Sequence, residues 1–166
     1  MTEVVLVPAT VELLGALRSD RAAFGRLIGS AVPHGWPEFP ESVDFTLATL
    51  GDRPDEGQWW MHFFLVDGQL VGSGGFVGPP VDGVVEFGYE IAPVYRRRGL
   101  GGAAAAAMLA KAAAAGVATV IAHTLPEENP SNALLRGLGF TFAGEVSDPD
   151  EGTVWRWERT LDVAQT

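Results

Sequence analysis

Up to Leu50 the apolar residues cluster with helical spacing, and from Gln58 onward they run in short, strand-length blocks. Glu3–Val7, stopped by Pro8, predicts a first strand. Thr10 is placed to cap a helix through Arg18, and Phe24, Leu27 and Ile28 mark the apolar face of a second helix over Asp20–Ile28. VPHGWPEFPE (Val32–Glu41) is too rich in proline for regular structure, and Ser42–Leu50 predicts a third helix. WWMHFFLV (Trp59–Val66), the Asp67-Gly68 turn and QLVGSGGFVG (Gln69–Gly78) form a hairpin pattern. VVEFGYEI (Val84–Ile91) adds a third strand to this meander and ends before Pro93. A helix over Gly99–Ala115 follows, with ten alanines in the thirteen residues from Ala103 and Gly116 as its stop. VATVIAH (Val117–His123) has the character of a buried strand, and Asn129–Leu138 that of a short helix. Phe140–Val146 and Thr153–Thr160 predict a closing antiparallel pair. The order β, helices, β-β-β, α, β, α, β-β is an α+β layout with one helix crossing over between strands.

Composition narrows the setting. The 166 residues are 47 % hydrophobic and 19 % charged, which predicts one globular domain over residues 1–166 with a real core. No segment reaches the ~18 uninterrupted apolar residues of a membrane helix, since Lys111 breaks the alanine run. MTEVVLVPATVELL has neither the basic patch nor the apolar block of a secretory signal, so the expected location is the cytoplasm and no membrane partner is expected. The absence of cysteine excludes disulfides, thiolate catalysis and Cys-ligated metals. A formal net charge of −10 argues against a nucleic-acid partner and is compatible with steering a cationic or amine-bearing substrate.

Against that acidity, VYRRRGLGGAAAA (Val94–Ala106) sets Arg96, Arg97 and Arg98 beside Gly99, Gly101 and Gly102 at the start of a helix. A helix N-terminus presents unpaired N–H groups and the positive end of the dipole, and glycines let a ligand approach the backbone. On these residues alone the stretch is either a phosphate loop or a plain helix start with solvated arginines. It lacks the Gly-Lys-Ser/Thr of a nucleotide P-loop, and its glycines follow a meander rather than the first strand of a dinucleotide fold. A pyrophosphate is the best-fitting ligand.

Arg96-Arg-Arg-Gly99-Leu-Gly101 resembles the R/Q-x-x-G-x-G/A acyl-CoA signature of the GNAT superfamily of N-acetyltransferases. GVVEFGYEIAPVYRRRGLGG looks like the fourth strand, turn and third helix of that fold, and ENPSNALLRGLGF (Glu128–Phe140) like its second signature. The pattern is most similar to the RimJ/RimL-type branch, whose members acetylate protein N-termini. The resemblance spans roughly Gln58–Arg159 and implies a mixed, mostly antiparallel sheet with a splayed central strand pair and flanking helices. It implies acetyl-CoA as cofactor, without a metal. Backbone N–H groups from Arg97 through Leu100 to Gly102 would hold the pyrophosphate, with the arginines adding charge. The backbone of Glu90, Ile91 and Ala92 would pair with the pantetheine arm. Asn129 would bond the pantetheine amides or order its loop.

Acetyl transfer from a thioester needs a neutral amine, aligned attack, a stabilised oxyanion and a proton for the thiolate. Glu86 is the first candidate base, on the strand leading to the cofactor loop, unless it only pairs with an arginine or faces solvent. Alternation puts Glu86, Gly88 and Glu90 on one face, where Glu86 and Glu90 can bind a cationic amine. Many relatives carry a tyrosine acid in the helix before Leu-Gly-Phe. Here that position is Leu135, which leaves Ser131 as the donor, or as a helix cap. His123, ending its strand near the thioester, is a candidate for the acceptor site or a structural residue. His34 and His62 lack metal-ligand spacing, so no metal site is expected. Trp36 and Phe39 of the proline-rich loop, with Trp59 and Trp60, suggest an aromatic wall over the acceptor cleft. Trp155 with Trp157 and Phe140 with Phe142 read as core or as a homodimer surface.

The sequence therefore points to an acetyl-CoA-dependent N-acetyltransferase acting by direct attack in a ternary complex, on a protein N-terminus or a small-molecule amine. A non-catalytic acyl-CoA-binding or sensing module is the alternative, and a nucleotide-binding protein a third reading.

Overall fold

The computed structural model describes residues 2–161. The chain runs through β1 (Val5–Pro8), α1 (Val11–Ser19), α2 (Arg21–Ile28), α3 (Glu41–Asp52), β2 (Met61–Val66), β3 (Gln69–Phe76) and β4 (Val84–Ile91). It continues through α4 (Leu100–Ala114), β5 (Thr119–Thr124), α5 (Pro130–Gly137), β6 (Thr141–Asp148) and β7 (Gly152–Thr160). Every strand and helix that the pattern predicts is present; the 3-10 turns Pro54–Trp59 and Pro93–Tyr95 are additions. Local chemistry sets the ends. Thr10 Oγ1 accepts from Leu13 N–H at 3.1 Å, and Asp20 Oδ1 from Ala23 N–H at 3.1 Å, capping α1 and α2. Asp67 (φ 50°) and Gly68 (φ 76°) make the tight β2–β3 turn.

The strands form one sheet in the order β1-β2-β3-β4-β5-β7-β6. All neighbours are antiparallel except β4 and β5. The closing hairpin folds inward, so the last strand, β7, lies between β5 and β6. β4 and β5 pair only at Val84↔Thr119, Val85↔Val120 and Glu86↔Ile121. Beyond Glu86, β4 stays with β3 as far as Gly72↔Ile91, and β5 stays with β7 as far as Thr124↔Trp155. The sheet is splayed at its centre.

Two cores sandwich the sheet. Phe64, Val71, Phe87 and Val120 pack against Ala104, Ala105, Met108 and Ala112 of α4, whose small side chains let the helix sit close to the strands. Phe63 and Leu70 pack on the other face against Leu14, Phe24 and Val43 of α1–α3. Trp157 is buried in the first core, and Phe142 stands against Trp155 and Trp157 at 5.3 and 5.5 Å between centroids. Among the described residues no helix is long and apolar enough to cross a membrane.

Two buried polar groups hold this frame. Asn132 is fully buried: its Oδ1 accepts from Thr124 Oγ1 and from Trp157 Nε1 (3.0 Å), and its Nδ2 donates to Leu125 O (3.5 Å) and Glu127 O. It ties the β5–α5 loop to β7. His62 is also fully buried, with Nδ1 3.0 Å from Trp60 O and Nε2 2.6 Å from Lys111 Nζ. Burial and the Lys111 ammonium lower its pKa to about 4, so the ring is neutral; Nδ1–H donates to the carbonyl and Nε2 accepts from Lys111.

Asn132→Ala leaves two loop carbonyls without their donor and takes the shared acceptor from Thr124 Oγ1 and the Trp157 indole, which keeps only Thr124 Oγ1 at 3.0 Å, and is expected to cost about 2–4 kcal/mol in denaturant unfolding. The His62 pKa lies below its unfolded value of 6.5, so the unfolded chain binds more protons between pH 6.5 and about 4. The stability from neutral His62 is complete above pH 6.5 and is lost as pH falls toward 4, on the order of 3 kcal/mol in all. Urea midpoints across that range should fall more steeply for the wild type than for His62→Gln.

Candidate active site

The splay creates a backbone edge without a partner strand. β4 keeps its even-numbered residues bonded toward β3, as in Val77 N–H to Glu86 O (3.0 Å) and Ala92 N–H to Val71 O (2.8 Å). Alternation then directs the N–H and C=O of Phe87, Tyr89 and Ile91 to the open side. Glu90 and Ala92, expected with Ile91 to face the cofactor through their backbone, are corrected by this register: Glu90 pairs with Ser73 and the Ala92 N–H is spent on Val71 O. Of the odd-numbered groups, Ile91 O already accepts from Arg96 Nε at 2.9 Å.

The turn after β4 leaves a run of backbone amides that could hold an anion. Arg97 (φ 64°) and Gly99 (φ 75°) are left-handed, which turns successive N–H groups toward one concavity at the start of α4. Among the described residues, no hydrogen-bond acceptor is paired with the N–H of Arg97, Arg98, Gly99, Leu100, Gly101 or Gly102; the first paired amide is Ala103, to Gly99 O at 3.2 Å. Gly101 lies against α5 and β4, where a Cβ would meet Leu134 at 3.3 Å and the Tyr89 ring at 3.6 Å. In the same corner the Tyr89 hydroxyl is buried without a partner among the described residues, and burial pushes it up to about 12. A free amide run and an orphaned phenol beside an open strand edge fit a ligand with a pyrophosphate and an amide-bearing arm, as coenzyme A has.

The three arginines divide their work. Arg96 turns from the loop: besides Ile91 O, it bonds Glu38 Oε2 at 3.0 Å. Arg98 lies 5.6 Å over the Tyr95 ring. Arg97 forms no ion pair among the described residues.

Glu86 and His123 come together where the β4–β5 pairing ends, with Oε2 3.1 Å from Nδ1. Among the described residues no arginine pairs with Glu86. With Nδ1 protonated, His123 donates to Glu86 and its Nε2 is left as an acceptor. Asp148 stands nearby, its carboxyl held below the usual range by the N–H groups of Glu151 and Asp150 and, to a smaller degree, by His123.

On this face of the sheet a cleft of about 710 Å³ opens beside β4, lined by Phe39, Phe45, Trp60, Gly88 and Glu90 among others. Glu90 Oε1 accepts from Glu38 N–H at 2.8 Å, so the proline-rich loop is fastened to β4. Burial pushes the Glu90 carboxyl up, against the opposing pull of that N–H and of Arg96. Trp36 does not join the cleft wall. It is 2 % exposed, packed on Phe24 and Phe63, with Nε1 donating to Ser73 Oγ at 3.0 Å. Its place is taken by Phe45, whose exposed position on a helical face carried no signal in the sequence.

Ser131 is exposed, and the α5 cap is Asn129, whose Oδ1 accepts from Asn132 N–H at 2.9 Å. Asn129 thus orders the loop, and Ser131 is not the cap. Asn132, which the sequence reading missed, anchors the loop through Thr124, Leu125 and Glu127 before α5 and through Trp157 of β7. No group of three or more metal-ligating side chains occurs among the described residues.

The architecture has close counterparts among solved structures. RimL, a ribosomal L7/L12 α-N-protein acetyltransferase in complex with coenzyme A, is 18 % identical over 99 % of this chain and 97 % of its own, with a TM-score of 0.71. A spermidine N-acetyltransferase chimera of Vibrio cholerae SpeG and hSSAT is 14 % identical over 95 % of each chain, also with a TM-score of 0.71. The ribosomal-protein-alanine N-acetyltransferase of Brucella melitensis is 20 % identical over 95 % of this chain and 99 % of its own, with a TM-score of 0.66. At such identities the likeness is one of fold. No curated protein sequence matches the chain. Kinship comes from the sequence itself, which matches the acetyltransferase (GNAT) family over residues 22–140, and the protein is a member of that family.

Proposed function

We propose that this protein transfers the acetyl group of acetyl-CoA to a primary amine by direct attack in a ternary complex. The observation that carries the reading is the Glu86–His123 contact at the mouth of the splay, beside an amide run suited to pyrophosphate. The N–H groups of Arg97–Gly102 hold the diphosphate, the open edge of β4 takes the pantetheine amides, and the Tyr89 hydroxyl finds a partner in the bound arm. Bound acetyl-CoA supplies the thioester-activated acetyl group.

His123 Nε2 takes the proton from the incoming ammonium, while Glu86 holds the ring in the Nδ1–H tautomer and stabilises the imidazolium that forms. The amine nitrogen then bonds the acetyl carbon, and the carbon–sulfur bond breaks. The second proton, shed by the nitrogen as it becomes an amide, passes through Ser131 Oγ, or water, to the leaving thiolate, so the relay ends with its own proton restored. The acceptor is a small molecule rather than a protein N-terminus, because the proline-rich loop is tied down beside the cleft. Arg21 donates to Trp36 O (3.0 Å) and Pro33 O (3.4 Å), and Glu38 bonds both β4 and Arg96.

Acetyl-CoA and CoA are expected to raise the melting temperature, and ATP and NAD are not. Gly101→Asp, which forces a carboxylate against Leu134 and the Tyr89 ring beside the free amides, should abolish that rise; no rise with either CoA form in the wild type would sink the proposal. With a reactive amine, His123→Ala should lower kcat/KM by ~10²–10⁴ at pH 7, and Glu86→Gln by less, both with the acetyl-CoA melting shift retained. Binding without turnover of any amine would instead make the chain an acyl-CoA sensor. Tyr89→Phe removes an orphaned hydroxyl, so the free protein should melt no lower while acetyl-CoA binds ~3–10-fold more weakly by calorimetry.

A further inference from the structure

The cleft beside β4 carries more information than the chemistry of transfer requires. Its floor has no side chains where it passes over Gly88, which faces the same way as Glu86 and Glu90, and a Cβ at Gly88 would meet nothing within 4 Å. The empty strip lies about 6.6 Å along the strand from Glu86, one residue pair away. One side is aromatic. Phe45 stands 5.8 Å from Trp60 between centroids, and Phe39 and Phe45 are 53 % and 60 % exposed, presenting ring surface that no part of the described chain covers. The remaining charge in the lining is of one sign: Glu41, Glu90 and Glu151 contribute carboxylates, and no Lys, Arg or His lines the cleft.

Resting on the transferase reading above, we infer that the acceptor is an arylalkylamine without a carboxylate. Its ammonium enters at the Glu86–His123 end, and its flat apolar body lies over Gly88 against Phe45 and Trp60. The open strip above Gly88 admits a ring, and the uncovered aromatic faces bury it. The carboxylates attract the ammonium and repel any acceptor bearing its own carboxylate, so the same side chains select for the amine and against the corresponding amino acid. An aliphatic polyamine satisfies the carboxylates but leaves the aromatic wall uncovered.

The test compares 2-phenylethylamine, phenylalanine, spermidine and an alanine-initiated peptide, following CoA thiol release by the full chain. Expected is a kcat/KM for 2-phenylethylamine at least 10-fold above each of the others. Gly88→Leu, whose side chain fills the strip from a position with ordinary strand backbone, should lower it at least 10-fold with the acetyl-CoA melting shift unchanged. Glu41→Gln/Glu151→Gln should narrow the gap between 2-phenylethylamine and phenylalanine. Preference for spermidine, phenylalanine or the peptide overturns the inference, as does a Gly88→Leu variant that folds, binds acetyl-CoA and acetylates 2-phenylethylamine normally. A binding measurement separates the two levels of argument. If no amine is turned over, the transferase reading falls; the cleft assignment falls only if 2-phenylethylamine also fails to bind the CoA-loaded protein, or binds Gly88→Leu equally well.

Discussion

The parting of β4 from β5 after Glu86 is the constraint on which the rest of the site depends. Two parallel strands that pair for three residues and then diverge leave backbone donors and acceptors with no ladder to join. The divergence is held open from both sides. Past Glu86, β4 is paired with β3 as far as Ile91 and β5 with β7 as far as Thr124, which holds each strand on its own side of the gap. α4 starts just past the end of β4, which brings its free amides to the same opening. Glu86 stands at the last paired register, opposite Ile121, and His123, two residues further along β5, touches it across the start of the gap.

The densest run of positive charge in the chain, Arg96–Arg98, lies beside that opening. The chain carries a net −10, yet it gathers three arginines at the start of α4, beside the free amides. Arg96 does something different from its neighbours: by bonding Ile91 O and Glu38 it joins the turn after β4 to the proline-rich loop. Glu38 in turn donates its N–H to Glu90, so loop, strand and turn form a connected polar chain. The exposed half of the sheet face that carries Glu86 and His123 also carries Arg156 and Glu158, in register across β5 and β7. The helices α1–α3 cover the other half, and the cleft opens at their boundary.

Much of the local structure was legible because each signal was local. Thr10 and Asp20 cap helices as their types predict, Asp67-Gly68 turns a hairpin, and the alanine run with its flanking glycines bounds α4. Side-chain destinations were less legible. Trp36 and Phe45 are both aromatic and both near the proline-rich segment, but one fills a core hole between Phe24 and Phe63 and the other stays exposed over the cleft. Nothing within a few residues of either distinguishes them, because the deciding neighbours lie on α2, β2 and β3. Asn132 is the same case in reverse: an ordinary polar residue in a short helix becomes a buried anchor only when Thr124 and Trp157 arrive beside it.

The amino-acid sequence by itself determined the elements, the alternation that places Glu86, Gly88 and Glu90 on one face of β4, and the glycine- and arginine-rich helix start. These follow from backbone propensity, strand period and the freedom of glycine, all of which act over a few residues. Only the tertiary structure decided that β7 would insert beside β5, that the pairing of β4 and β5 would stop at Glu86, and that His123 would meet that carboxylate at 3.1 Å. Those outcomes depend on which strands compete for the same edge and on how side chains distant in sequence fill a shared volume.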